Sequence, residues 1–379
     1  MRHSAYVPVV QGPLSGAYNL LVEIHAALAA ALNAVVSANG TDLALSIGSR
    51  PLVRLDGHIR PVPELPSVDD EAMAEFLRDL LGAEQLEDLW KDRDIDFAFS
   101  WGSYRFRGNA FFQRGLPAVA LRLIQREIPT FDEIGVPYSV RELTELQRGL
   151  ILFTGPTGSG KSTTMATMVD AINAIRPCHI LTIEDPIEYL HVNRQAVVHQ
   201  REVGLDAQSF ARALRAALRE DPDVVLVGEM RDPESIAITL TLAETGHLVM
   251  SSLHTNDAPQ ALDRIVDVFT AEHQGQIRLQ LASTLAAVVN QRLVPRIGGG
   301  LMAVYEVLIA TSPVRNLVRE GKTNQLRNAM QMGLSSGHKT MEMSLIELVS
   351  SGMITQDTAV ATAFVPHEVD PTIAVTTQH

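Results

Sequence analysis

Cysteine is almost missing from this chain, with Cys178 alone among 379 residues. That excludes an intrachain disulfide and a zinc site built on several thiolates, and it suits a reducing compartment. Long apolar runs are missing too. The most hydrophobic N-terminal stretch, Leu20 to Val36, is broken by Glu23, His25 and Asn33, and no run approaches the ~20 apolar residues of a spanning helix. The start also lacks a basic segment leading into a signal-type apolar core. These absences predict a cytoplasmic protein that meets a membrane only peripherally. Basic side chains are in deficit, 31 against 44 acidic, for a net charge of -13. A surface built to neutralise a phosphate backbone is therefore not expected, and no basic tract interleaved with aromatics marks a single-strand channel. No internal repeat or low-complexity tract stands out. What remains is an ordinary globular composition, 46% hydrophobic and 20% charged, at a length that suits two or three domains.

The most informative stretch is GPTGSGKST, Gly155 to Thr163. It follows an apolar run, Gly149 to Thr154, with the length of a buried parallel strand, and it leads into a helical pattern from Lys161 to Ile175. Strand, glycine loop and helix in this order make a P-loop. Glycines let successive backbone N–H groups converge on phosphate oxygens, and the free N–H groups of the helix start add positive potential. The spacing predicts that Gly155, Pro156, Thr157, Gly158, Ser159 and Gly160 wrap a nucleotide. Lys161 is expected to reach the β- and γ-phosphates, Ser162 to ligate Mg²⁺, and Thr163 to face the α-phosphate. ATP and Mg²⁺ are thus the expected cofactors.

Ahead of this loop, a prolonged N-terminal arm at 1–17 precedes a predicted helix from Tyr18 to Ser37. Strand-like runs follow at Asp42 to Ile47, Pro51 to Leu55 and His58 to Val62, with turns at Asn39-Gly40 and Asp56-Gly57. Two helical segments, Ser67 to Leu81 and Ala83 to Lys91, lead to a hairpin across Gly102-Ser103 and a strand at Ala118 to Ile124. This makes one α+β domain over 18–129, followed by a linker and helix over 130–148. Beyond the loop, strands at His179 to Glu184, Val224 to Glu229 and Leu248 to Leu253 alternate with helices, which predicts a parallel sheet. Gly298 to Gly300 breaks the pattern before a last strand, Met302 to Ile309. The P-loop domain is expected over 149–365, with a disordered tail over 366–379.

Three further constellations carry chemistry. The run DVVLVGE, Asp223 to Glu229, delivers a carboxylate to the C-terminal edge of a strand, where Glu229 is placed to polarise an attacking water. At the end of another strand, IEDPIE offers Glu184 and Glu188 for positioning Mg²⁺ or its waters. His247 and His254 flank the strand Leu248 to Leu253; their separation makes them a poor metal pair, but His254 is placed to sense the γ-phosphate or bond to Glu229. For each of these a capping or packing role is the plainer alternative.

Together GPTGSGKST, ILTIEDPIEY (Ile180 to Tyr189), ALREDPDVVLVGEMRD (Ala217 to Asp232) and AETGHLVMSSLHTNDA (Ala243 to Ala258) resemble the Walker A, Asp, Walker B and His boxes of the secretion ATPases of type II secretion and type IV pili, in that family's order. RFRGNAFFQRG (Arg105 to Gly115) and TSPVRNLVREGKTNQL (Thr311 to Leu326) are most similar to the branch that retracts pili. A four-cysteine zinc loop usual in the assembly and secretion branches is impossible here, where VPRIGGG (Val294 to Gly300) stands in its place. The resemblance implies an α/β protein with a PAS-like N-terminal domain and a RecA-like motor, six copies in a ring, and nucleotide closed in with help from N-terminal arginines, here Arg107 and Arg122. It also implies an inner-membrane platform protein as partner, with an accessory ATPase of the same family as another. A role at the cytoplasmic base of a pilus follows, with no stable nucleic-acid partner. Other readings are an accessory retraction motor, a zinc-free assembly ATPase, a nucleotide-gated scaffold and a nucleic-acid translocase. The sequence also departs from the family: Ala44 stands where a histidine is usual, and GHKTMEMSL replaces a more typical segment near the end.

Overall fold

A computed structural model describes residues 25–372 apart from 39, 56–57, 103 and 125–126. The expected arm at 1–17, the beginning of the first helix and the turn at 56–57 lie outside the described residues. The chain divides into two compact units, Met1–Arg126 and Glu127–His379.

In the first unit, helix α1 (Ala26–Ser37) leads to strands β1 (Asp42–Ser46), β2 (Leu52–Leu55) and β3 (His58–Pro61). Helices α2 (Asp70–Leu80) and α3 (Ala83–Asp92) come next, and then β4 (Asp94–Trp101), β5 (Tyr104–Gln113) and β6 (Leu116–Ile124). The strands form an antiparallel sheet in the order β3-β2-β1-β6-β5-β4. Strand alternation explains its two faces. On β1, Leu43 and Leu45 are buried while Asp42, Ala44 and Ser46 lie on the other side. The apolar face packs Phe97, Phe99 and Phe106 against Leu28, Leu32, Met73 and Phe76 from the helices.

The second unit opens with α4 (Tyr138–Arg141), which runs into a 3₁₀ turn at Glu142–Glu145. A linker with a full helix is expected over 130–148, but only these short turns form. Their apolar residues Val136, Val140 and Leu143 are instead buried in the core of this unit. The central pattern follows as β7 (Gly149–Thr154), α5 (Lys161–Ile175), β8 (His179–Glu184), β9 (Val197–Glu202), α6 (Phe210–Ala217), β10 (Val224–Val227), α7 (Pro233–Glu244) and β11 (Leu248–Leu253). Helices α8 (Ala258–Asp267) and α9 (Ala271–Thr284) then lead into β12 (Leu285–Pro295) and β13 (Leu301–Ile309). The sheet order is β13-β12-β7-β11-β10-β8-β9, parallel except for the β12–β13 pair. Strands β7, β10 and β11 are buried throughout, as continuous apolar runs covered by helices on both faces should be.

Helices α10 (Ser312–Glu320), α11 (Leu326–Met332), α12 (Met341–Ser350), α13 (Gln356–Thr362) and α14 (Pro366–Val369) complete the unit. The last of these corrects the expected disordered tail over its first residues. Val369 is buried against α12 and α13, and Glu368 pairs with Arg327 at 2.7 Å. Among the described residues, no helix is long and apolar enough to cross a membrane.

Candidate nucleotide site

Parallel pairing brings the predicted boxes to one edge. Leu253 lies opposite Thr154, Ser251 opposite Val227, and Val227 opposite Ile183. Glu184, the last residue of β8, and Gly155, His254 and Glu229, which lie just beyond their strands, therefore line the C-terminal edge of the sheet, where open α/β folds place ligands.

At the centre, β7 delivers the glycine loop and α5 begins at Lys161 behind Gly160. Lys161 is nearly buried, and its Nζ donates to the carbonyl oxygens of Gly155 at 2.8 Å and Pro156 at 3.0 Å. Burial holds its pKa below the usual lysine range, opposed by the negative charge of Glu229. The ammonium thus rests on the loop it serves, one exchange of hydrogen bonds away from a phosphate oxygen. Ser162 is exposed beside it. Thr163 shares a 2.9 Å hydrogen bond with the Tyr189 hydroxyl, so its side chain is tied toward the acidic box.

Glu229 is largely buried, and its carboxylate is paired with Arg231 and lies 3.4 Å from His254 Nε2. Below these groups is a cavity of about 160 Å³, lined also by Met230, Ser252 and Arg264. Glu184 is in a different environment. Its Oε1 accepts from Thr182 Oγ1 at 2.6 Å and Gln200 Nε2 at 3.3 Å, and burial raises its pKa from the ordinary 4.5 to about 7. Gln200 also donates to the Tyr189 carbonyl at 2.9 Å. A chain of bonds therefore runs from Thr163 through Tyr189 and Gln200 to Glu184. Glu188 lies exposed beyond the strand.

His247 and the two N-terminal arginines have surroundings of their own. His247 precedes Leu248, which pairs with Gly149 and Val224 at the opposite edge of the sheet. The six-residue strand β11 separates it from His254 by roughly 20 Å. There it caps a helix end, Nδ1 lying 2.8 Å from the Leu242 carbonyl. Arg107 and Arg122 belong to the first unit, directly opposite each other on β5 and β6. Arg122 Nε donates to Asp42 at 2.8 Å, and Arg54 also pairs with Asp42 at 3.3 Å. Burial works against ionisation of Asp42, but bonds from Thr41 and Arg122 outweigh it and keep its carboxyl below the usual range. Within that unit these residues line an open cleft of about 330 Å³ with Asp96 and Asn109.

A family model described as type II/IV secretion system protein matches residues 89–300. The chain belongs to the type II/IV secretion system protein family. Within this family it is 44% identical over 327 residues to the type IV pilus retraction ATPase PilT of Pseudomonas aeruginosa, covering 86% of this chain and 95% of the relative. The type IV pilus ATPase PilU of the same organism is 39% identical, over 88% of this chain and 87% of the relative. A crystal structure of the retraction motor PilT with bound ADP superposes with a TM-score of 0.85 at 44% identity, covering 90% of this chain and 98% of that one. The secretion-family fold is thus a PAS-like α+β unit and a RecA-like P-loop unit.

The group that Mg²⁺ would join fits a hard cation held by few protein ligands. An exposed hydroxyl, Ser162, stands at the loop, and carboxylates stand along the same sheet edge. Among the described residues, no cluster of three or more His, Cys, Asp or Glu side chains is placed to hold a metal on its own. An ion here would be shared with phosphate oxygens and water.

Proposed function

We propose that this chain is a Mg²⁺-dependent ATPase that works as a hexameric ring to retract type IV pili. The observation that carries the reading is the alignment of Lys161, Glu229 and His254 on one sheet edge, in a chain 44% identical to PilT along nearly the whole relative. Loop N–H groups and Lys161 bind and orient the phosphates. Glu229 accepts a hydrogen bond from the attacking water, which aims the water's lone pair at the γ-phosphorus; as that O–P bond forms, the bond from phosphorus to the β,γ-bridging oxygen breaks, ADP leaves, and the water's proton passes to the carboxylate. Ser162 and, through water, Glu184 would hold Mg²⁺, which would supply positive charge beside the phosphate oxygens. His254, beside Glu229, reports whether a γ-phosphate is present by bonding to it or to the carboxylate. The remaining steps are positioning and electrostatics. The motor acts at the cytoplasmic base of the pilus on an inner-membrane platform protein. A second reading, an accessory motor, is favoured by the 39% identity to PilU.

The test is ATP turnover with and without Mg²⁺ for the parent chain, Glu229→Gln and Lys161→Ala, with oligomeric state by light scattering. Glu229→Gln should bind ATP yet turn over at least ~100-fold more slowly, and Lys161→Ala should lose most nucleotide affinity. Equal turnover by the parent and Glu229→Gln would remove the carboxylate from the mechanism. A deletion strain should carry longer, more numerous pili, whereas normal piliation with weakened retraction force assigns the accessory role.

A further inference from the structure

Gln291 belongs to none of the boxes above, yet it stands against the glycine loop. It lies on β12, the strand parallel to β7, whose register sets Asn290 opposite Thr154 and so brings Gln291 level with the first loop glycine. The residue is only 2% exposed. Its backbone oxygen faces Gly155 so closely that a Cβ there would lie 2.2 Å away, and its Nε2 would lie 2.7 Å from a Cβ on Gly160. Both glycines have positive φ, 134° and 87°. Its Oε1 accepts a 2.8 Å hydrogen bond from Thr164 Oγ1 in the first turn of α5. One buried residue thus abuts both ends of the loop and the helix that carries Lys161.

Burying a primary amide is unfavourable unless its bonds replace those to water. Packing alone would be met by an apolar side chain of similar volume. The polar contacts here are directed at the segment whose curvature decides where the phosphate-binding N–H groups point. Loop side chains supply little of that support: Lys161 bonds to two loop carbonyls that a phosphate would replace. Ser159 Oγ is buried with no hydrogen-bond partner among the described residues. The next residue, Arg292, anchors the strand from its other side. Its guanidinium stacks 4.6 Å from the Phe364 ring and donates to the Thr362 carbonyl at 3.2 Å.

We infer that Gln291 is a positioning residue for nucleotide, holding the loop in its phosphate-accepting curvature through Gly155, Gly160 and Thr164. It acts through the loop and the helix and does not touch the reacting atoms. This rests on the reading of the loop as a nucleotide site.

The experiment titrates fluorescent ADP into the purified full-length parent, Gln291→Leu, Thr164→Val, Thr164→Ser and the Gln291→Leu/Thr164→Val pair. Melting of each ligand-free protein is followed in parallel. The Kd should rise about ten-fold in Gln291→Leu and in Thr164→Val, with little change in ligand-free melting. Thr164→Ser keeps the hydroxyl and should bind like the parent. The double variant should be little weaker than the weaker single, since both substitutions remove the Thr164–Gln291 bond and Thr164→Val loses besides it only the 3.5 Å contact with the Tyr305 hydroxyl. Parent-like affinity in both single variants, or losses that only follow the fall in melting temperature, or fully additive losses, would overturn the inference. Should Gln291→Leu fail to fold, the contrast between Thr164→Val and Thr164→Ser decides it. A parent that binds no ADP would instead overturn the nucleotide reading itself.

Discussion

Three glutamates show how surroundings set the use of one side chain. Glu229 is paired with Arg231 and stands near His254, so its charge is compensated. Glu184 is bonded to neutral donors in a buried setting and titrates at about 7. Glu306 on β13 is 2% exposed and lies outside the nucleotide site; burial likewise raises it from 4.5 to about 7, although its Oε1 accepts from the Ala258 N–H at 3.1 Å. The folded state therefore favours the protonated form of Glu306. Its contribution to stability is complete below the unfolded value near 4.5 and is lost as the pH rises through about 7. Glu306→Gln keeps an acceptor for Ala258 without the charge. It should raise stability at pH 8 by on the order of 1–3 kcal/mol and flatten the fall between those two values. Denaturant titration of both proteins across that range checks this, and identical slopes would contradict it.

At the level of elements, the strand that mattered most was the hardest to see. β12 follows α9 with no glycine or proline between them, since Thr284 closes the helix and Leu285 opens the strand. Its AAVVNQR segment has no strict alternation because Val288, Val289, Asn290 and Gln291 are all buried, the polar pair included. Short-range patterns do not separate such a run from a buried helix. β9 lacks a strand signature for a related reason: its polar run VVHQRE sits at the sheet edge with one side open. The C-terminal helices are held by a different device. Glu342, 1% exposed, accepts the backbone N–H groups of Phe364 and Val365 at 2.9 Å each and pairs with Arg327, which also pairs with Glu368. Arg327→Ala would leave a buried carboxylate short of its counter-charge and should cost about 3 kcal/mol. Amide exchange should rise first around 364–369. Unchanged exchange there would show that the helices dock by apolar contacts alone.

The whole molecule holds separate cores. The first unit has its own cluster around Phe97, Phe99 and Phe106, while the second has the sheet clusters around Leu152 and Phe153 and a smaller one around Met341 and Leu345. Every loop, carboxylate and histidine of the nucleotide site belongs to the second unit. A fragment spanning 127–379 should therefore fold alone and bind ADP within about three-fold of the parent Kd. Calorimetric unfolding and ADP titration of the fragment check this, and an aggregated or non-binding fragment would contradict it.

The sequence by itself determined the P-loop, the boxes that follow it and the alternation that makes a parallel sheet, because each is written in contiguous residues whose spacing carries the chemistry. Their meeting at one edge follows from parallel strands. Tertiary structure decided the rest: that Glu184 is bonded to Gln200 on the neighbouring strand, that Thr163 is tied to Tyr189, and that Gln291 supports the loop from β12. These depend on register and neighbour choice between strands far apart in the chain. Sequence periodicity marks which face of a strand is buried but not which strand lies beside it.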